Sequence, residues 1–178
     1  MKKKKNSSFV VIALLLIVTI SIGYAALSTT LNINGTSTIK TNTWDVHFAN
    51  VKVTTNTGAT VTKAPTITEG KTTEVTYNVA LNKPGSVYEF TVDVVNGGTI
   101  AAKTSATPTL GGNTQTAIVN YTVTWSDGSP ITANTALAAG DTKTAKVRVE
   151  YKKDITAAQL PSADTALSLT CSIPYVQA

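Results

Sequence analysis

Histidine is the side chain on which most metal and acid-base chemistry would depend, and this chain contains one, His47. It lies in the sequence Trp44-Asp45-Val46-His47-Phe48, where strand alternation would place Asp45 and His47 on one face and the aromatic rings on the other. Two ligands are fewer than the three or four that a protein zinc site uses. A single histidine also excludes the His-Glu-x-x-His zinc motif. We therefore interpret Asp45 and His47 as part of a solvated strand face.

Other catalytic chemistries also lack the residues that they need. A serine triad would require His47 as its base, but no Gly-x-Ser-x-Gly elbow accompanies it. The glycine-rich turn Asn96-Gly97-Gly98 lacks the Gly-Lys-Ser/Thr ending of a phosphate loop. Cys171 is the only cysteine, so no intrachain disulfide can form, and its place in an alternating stripe predicts a small buried side chain. We predict no enzyme, no catalytic residue, no cofactor and no metal site.

The N-terminus has the order of a secretory signal peptide. A basic block, Lys2 to Lys5, precedes an apolar run from Phe9 to Ile22, and small residues follow in Gly23-Tyr24-Ala25-Ala26. We predict a signal peptide over residues 1–25 that forms a helix and is cleaved between Ala25 and Ala26. The alternative is an uncleaved N-terminal anchor.

Cleavage would remove most of the excess positive charge. The chain has 15 basic and 10 acidic residues and a net charge of +5. Loss of Lys2 to Lys5 leaves 11 basic and 10 acidic residues, a net charge of +1. The charge therefore gives no support to a nucleic-acid partner, which would need a basic patch on the mature chain.

The mature part predicts strands almost throughout. Four segments alternate cleanly between apolar and polar residues, which is typical of strands with one buried face. Their apolar residues are Tyr88, Phe90, Val92 and Val94; Val119, Tyr121, Val123 and Trp125; Ala145, Val147, Val149 and Tyr151; and Leu167, Leu169, Cys171 and Ile173. Further strands are predicted at 44–54, 71–81 and 99–107, and one short helix at 155–160 before Pro161.

Turn signals rich in glycine, asparagine and proline separate these strands. We predict an all-β fold, a two-sheet antiparallel sandwich of jelly-roll type over residues 40–178, preceded by the signal helix.

A separate strand-like segment, residues 26–39, follows the cleavage site. Leu27, Leu31, Ile33 and Ile39 take odd positions, whereas serine, threonine and asparagine fill most even ones. The pattern allows two interpretations: an ordinary first strand of the sandwich, or a strand that pairs with the open sheet edge of another subunit.

Three stretches of the sequence resemble known exported proteins. They are the junction Gly23-Tyr24-Ala25-Ala26-Leu27-Ser28, residues 88–102 with Val95-Asn96-Gly97-Gly98, and residues 167–177. The first two resemble the TasA/camelysin family of exported matrix-fibre proteins of Gram-positive bacteria: the junction is similar to that family's small-aromatic-Ala-Ala site for a dedicated signal peptidase, and residues 88–102 look like a family strand and its turn. Residues 167–177 look like the closing strand of exported Firmicutes proteins with the same layout. The resemblance implies a jelly-roll subunit of extracellular matrix or biofilm fibres, polymerised by N-terminal strand exchange. Relatives have been described as metalloproteases, but one histidine gives that activity no support here.

The expected protein is thus an exported structural protein of the extracellular space or cell surface. Its partners would be further copies of itself in filaments and other matrix or surface proteins, with no nucleic acid, and it would meet the membrane only through the signal segment. One alternative is a monomeric adhesin or carbohydrate-binding module that uses the turn from Trp125 to Ile131. Another is a pilin-like protein that retains its N-terminal helix as a filament core, although the glycine cleavage site and following glutamate typical of pilins are missing.

Overall fold

The computed structural model describes residues 7–25 and 29–178, which fall into two units divided between Lys40 and Thr41. In the first unit, helix α1 spans Ser7–Ala25 and contains the apolar run. Residues 29–40 follow with no helix or strand. Within the described ranges, every helix falls short of the length and apolar character needed to cross a membrane.

The regular elements of the second unit are almost all strands. One 3₁₀ turn, Ala157–Gln159, is the helical element within residues 41–178. The strands, in chain order, are β1 (Val46–Thr57), β2 (Ala59–Thr68), β3 (Lys71–Leu81), β4 (Val87–Asn96), β5 (Ala102–Thr104), β6 (Thr109–Gly111), β7 (Val119–Trp125), β8 (Ala136–Leu137), β9 (Thr142–Tyr151), β10 (Thr170–Ser172) and β11 (Tyr175–Gln177).

All strand pairs are antiparallel, and the largest sheet has the order β1-β4-β9-β7. Its central strands β4 and β9 pair without a register shift from Val87 opposite Glu150 to Val95 opposite Thr142. The other strands form the β2-β3 hairpin, the β10-β6 pair and the three-stranded group β11-β5-β8. An all-β antiparallel fold is therefore confirmed.

A sharp corner joins the β2-β3 hairpin to the main sheet. Gly58 connects β1 to β2 with a φ of 66°, a left-handed value that favours glycine. Its carbonyl oxygen accepts hydrogen bonds from the Ser86 hydroxyl (2.7 Å) and the Asn82 N–H (3.3 Å). These bonds hold the turn at Gly58 against the connection between β3 and β4. Because Ser86 is fully buried, this bond satisfies a hydroxyl that would otherwise cost free energy to bury.

The core lies on one face of the β1-β4-β9-β7 sheet and forms two clusters of buried side chains. The first cluster contains Phe90, Tyr121 and Val149, and half-buried residues of β2, β3 and the 167–171 segment pack against it. The second cluster contains Val92, Trp125 and Leu137, and Ile173 and Tyr175 pack against it. The apolar stripes predicted in β4 and β9 are buried, and those of β7 are buried except for half-buried Val123.

Several predicted boundaries need correction. Residues 167–173 keep their predicted alternation, with the odd-numbered side chains half-buried, but only Thr170–Ser172 pair as a strand. The strand predicted at 99–107 shortens to Ala102–Thr104. The predicted helix at 155–160 is the single 3₁₀ turn, which ends before Pro161. In each case the segment offers too few backbone partners for a longer regular element.

Candidate assembly site

Strand β1 is an edge strand of the main sheet, because β4 is its single strand partner among the described residues. The Gly97 N–H donates to the Asp45 carbonyl oxygen (2.8 Å), and the Thr99 N–H donates to the Thr43 carbonyl oxygen (3.0 Å). In an antiparallel ladder, alternate residues bond to the same neighbour. The N–H and C=O groups of the intervening residues at 44, 46 and 48 therefore point away from β4, along the free edge.

The free edge runs beside an apolar groove of about 200 Å³. The side chains that line it from the edge are Trp44, Val46 and Phe48, with His47 beside them. The other residues that line the groove are Thr73 of β3, Val94 of β4, Ile173 and Tyr175. The same residues thus supply unpaired backbone groups and apolar side chains, which is what a sheet needs to accept one more strand.

The edge is regular only over a short length. A register shift between Ala49 and Lys52 interrupts the pairing with β4, and Asn50 takes a φ of 49° at that point. Such a bulge twists a strand away from straight pairing. The regular part of the free edge therefore covers residues 43–49.

Tyr175 adds an unsatisfied polar group at the groove. Its hydroxyl oxygen is buried and has no hydrogen-bond partner among the described residues. Burial raises the pKa of Tyr175 to about 12, which keeps the phenol neutral.

The Asn96-Gly97-Gly98 turn holds the chain that leads into β1. The buried Asn96 amide donates to the carbonyl oxygens of Ile100 (2.9 Å) and Leu137 (3.1 Å), and its Oδ1 accepts from the Gly98 N–H (3.1 Å). A Cβ on Gly98 would lie 2.5 Å from the Thr43 carbonyl oxygen, so only glycine allows this approach. The Asn96-Gly97-Gly98 turn, on which the family resemblance partly rests, thus holds residues 43–45 in place before the free edge of β1.

Asp45 and His47 contact each other, as strand alternation predicted. The His47 Nδ1 lies 2.8 Å from the Asp45 Oδ1, with the Asp45 carboxylate half exposed. Within the described ranges there is no group of three or more side chains that could hold a metal ion. The pair is an exposed contact at the sheet edge.

The structure describes most of the predicted assembly residues but not all of them. Leu31, Ile33 and Ile39 are 88%, 98% and 94% exposed, and residues 29–39 pair with no strand. Residues 29–39 thus form no helix or strand, and both interpretations of the segment, a first strand of the sandwich and a strand that pairs with another subunit, stay predictions. Ala25 is the last residue of α1, whereas Ala26 and Leu27 lie outside the described residues.

The turn proposed for an adhesin offers no aromatic platform. Trp125 and Ile131 are both buried in the second core cluster. Lys143 Nζ lies 5.4 Å from the centre of the Trp125 ring, which is a cation-π distance. Stacking against a sugar needs an exposed ring face, so this turn gives the carbohydrate-binding alternative little support.

Burial suppresses ionisation of several groups in the core. It raises the pKa of Cys171 from 9.0 to about 11 and that of Tyr77 from 10.0 to about 12. In each case the neutral, protonated form is favoured in the folded state. The stabilisation is fully present below the unfolded pKa values and is lost as pH rises through the folded ones.

We therefore expect the melting temperature to fall between about pH 9 and 12, with delayed ionisation of the buried tyrosines and slow alkylation of Cys171 near neutral pH. Thermal unfolding, tyrosinate absorbance and thiol labelling across this range measure the three effects. Cys171→Ala is the control, because it removes the thiol's share of the fall. Tyrosines that all titrate near pH 10 in the folded protein would contradict the assigned burial.

Comparisons of the chain with family models, with curated proteins and with solved structures found no match.

Proposed function

We propose that this chain is an exported structural protein, a subunit of extracellular matrix or biofilm fibres on a Gram-positive cell. Subunits would join when residues 26–39 of one copy add a strand to the β1 edge of the next. The observation that carries the proposal is that one chain has both parts of such a contact. It has a free sheet edge beside an apolar groove, and it has an exposed segment with alternating apolar side chains.

The chemistry of the two features is complementary. A strand laid along residues 43–49 would bond to the free N–H and C=O groups and place every second side chain toward the groove. Leu31 and Ile33 have that spacing, and the intervening Asn32 would face solvent. Full burial of each aliphatic side chain contributes roughly 1.5–3 kcal/mol, which helps to offset the entropy lost on association.

Head-to-tail contacts of this kind propagate. Each subunit gives one strand and accepts one through a different surface, so the contact is heterologous and produces an open filament unless the rotation closes a ring. Neither feature contains a catalytic or metal-binding cluster among the described residues, and a structural role needs none.

Two finer parts of the fold belong to the same proposal. We interpret the main sheet and the strands that cover its inner face as a jelly-roll-like sandwich, supported by core clusters that contain residues of both layers. We interpret α1 as the signal helix, supported by the lysine block and the small residues around Ala25. The covered sheet would leave the groove at one corner as the site for an added strand.

The test is to express the full chain in a Gram-positive host and analyse the secreted protein. We expect an N-terminus within a residue or two of Ala26 by mass spectrometry, and thin unbranched fibres by negative-stain electron microscopy. Size-exclusion chromatography over a concentration series follows the growth of the assemblies. Protein confined to the cytosol, or a secreted protein that stays monomeric at high concentration, would contradict the proposal.

A further inference from the structure

The segment between α1 and the strand unit contains one basic residue. Lys40 is the only lysine or arginine between positions 29 and 45, and it is exposed, as are all residues from 29 to 45. Residues 29–40 belong to no helix or strand. The bond between Lys40 and Thr41 is also the point where the chain divides into its two units.

The basic residues of the second unit lie in backbone that is less accessible to a protease than the backbone at Lys40. Most are in strands, where the main chain is paired: Lys52, Lys63, Lys71, Lys103, Lys143, Lys146 and Arg148. Of the rest, Lys83 precedes Pro84, and the main chain of Lys152 donates to the Ile118 carbonyl oxygen (2.8 Å). Lys153 is the one exposed lysine left in a turn.

Proteases bind their substrates in extended form across several residues, so exposed and unpaired backbone is cut first. Paired strands are cut only after local or global opening, which folded domains populate in roughly one molecule in a thousand or fewer. By this criterion a protease would cut the exposed, unpaired backbone of residues 36–42 far faster than the backbone beside any lysine in a paired strand.

From this geometry we infer that Lys40-Thr41 is a processing site for an extracellular protease of trypsin-like specificity. Such a protease recognises the lysine side chain with an acidic pocket. Water adds across the peptide bond as the C–N bond breaks, so that Lys40 gains a carboxylate and Thr41 gains an amino group. No oxidant, metal or other co-reactant is needed on this chain.

The cut would separate the donor segment from its acceptor. Residues that hold the accepting edge lie on the C-terminal side of the cut, because Thr43 exchanges hydrogen bonds with Thr99 through its N–H (2.9 Å) and its carbonyl oxygen (3.0 Å). The fragment 41–178 would thus keep the groove and lose the strand that fills a neighbour's groove. This consequence rests on the proposed function, whereas the cleavage site itself does not.

The test is limited trypsin digestion of the purified full chain, followed by intact-mass measurement and N-terminal sequencing. Cuts at Lys2 to Lys5 trim only the terminus, and the first core fragment is expected to begin at Thr41. Lys40→Gln should abolish release of the fragment that begins at Thr41, because trypsin cuts after lysine or arginine and residues 29–45 contain no other basic residue. Lys153→Gln is the matched control and should leave the rate unchanged.

Electron microscopy of the digested protein then tests the consequence. We expect the fragment 41–178 to stay soluble, whereas Lys40→Gln protein treated with the same trypsin keeps its fibres. A first cut within 41–178 would overturn the processing site, with no bearing on strand exchange. A fragment that begins at Thr41 and still forms fibres would overturn the switch and contradict the proposed function.

Discussion

Replacing Leu31 and Ile33 together by aspartate is expected to stop fibre growth while leaving a folded, soluble protein. Both side chains are almost fully exposed in the single chain, so the change costs its own fold little. In the assembled state the same positions would bury two carboxylates against Ile173 and Phe48 of the neighbour. Burial of an unpaired charge costs several kcal/mol, more than the aliphatic side chains contribute.

The matched control is the pair Asn32→Asp and Asn34→Asp. It adds the same charge to the same segment but on the opposite row of the strand, so fibres should persist with at most a moderate loss. Deletion of residues 26–35 should act like the Leu31 and Ile33 change. Fibres from the Leu31→Asp, Ile33→Asp protein that match those of the parent in number and width would contradict strand exchange.

Binding of residues 26–39 at the β1 edge can be measured separately from fibre growth, by tryptophan fluorescence. Trp44 lines the groove and is 46% exposed, whereas Trp125 is buried. A peptide of residues 26–39 added to the deletion protein should shift the Trp44 emission to shorter wavelength as the ring loses water. The same peptide with Leu31→Asp and Ile33→Asp, and a Trp44→Phe protein, should both give no shift.

Truncation to alanine of one aromatic side chain from each core cluster, Phe90 or Trp125, is expected to cost about 3–5 kcal/mol. Phe90 is 2% exposed and packs edge-on against Tyr77, with ring centroids 5.0 Å apart. Trp125 packs in the other cluster and is 8% exposed. Because domains of this size are stable by only about 5–15 kcal/mol, either change would unfold a large share of the molecules on mild heating.

Denaturant unfolding followed by circular dichroism measures these losses. His47→Ala is the control, since its side chain is 26% exposed and its Nδ1 lies 2.8 Å from the half-exposed Asp45 carboxylate. We expect it to cost well under 1 kcal/mol, as exposed ion pairs do. Melting temperatures that are unchanged for both Phe90→Ala and Trp125→Ala would show that the assigned inner face is wrong.

Much of the strand unit could be predicted from local pattern. The stripes around Phe90, Tyr121 and Val149 alternate with period two, and that period alone indicates which side chains are buried. The half-buried positions at Leu167, Leu169 and Cys171 follow the same pattern even where no strand forms. Alternation of apolar and polar residues indicates which side chains are buried, because each apolar side chain needs its own apolar surroundings.

Strand β2 was missed for a physical reason. Its pairing with β3 contains three register shifts, and Pro65, which lacks an N–H, lies inside it. Bulges break the period that sequence reasoning relies on, and an internal proline is typical of a strand edge or bulge. The two- and three-residue strands β8 and β11 are too short to show any period.

The sequence by itself determined the inner and outer faces of the main strands and the alternation of the exposed segment around Leu31 and Ile33. It also limited the chain to a single histidine. Only the tertiary structure decided that residues 29–39 form no strand, and that Val46 and Tyr175 line one groove beside a free edge. The reason is that alternation is a property of neighbouring residues, whereas a strand exists only where a second strand accepts its hydrogen bonds. Which strand that is depends on contacts between residues far apart in the chain.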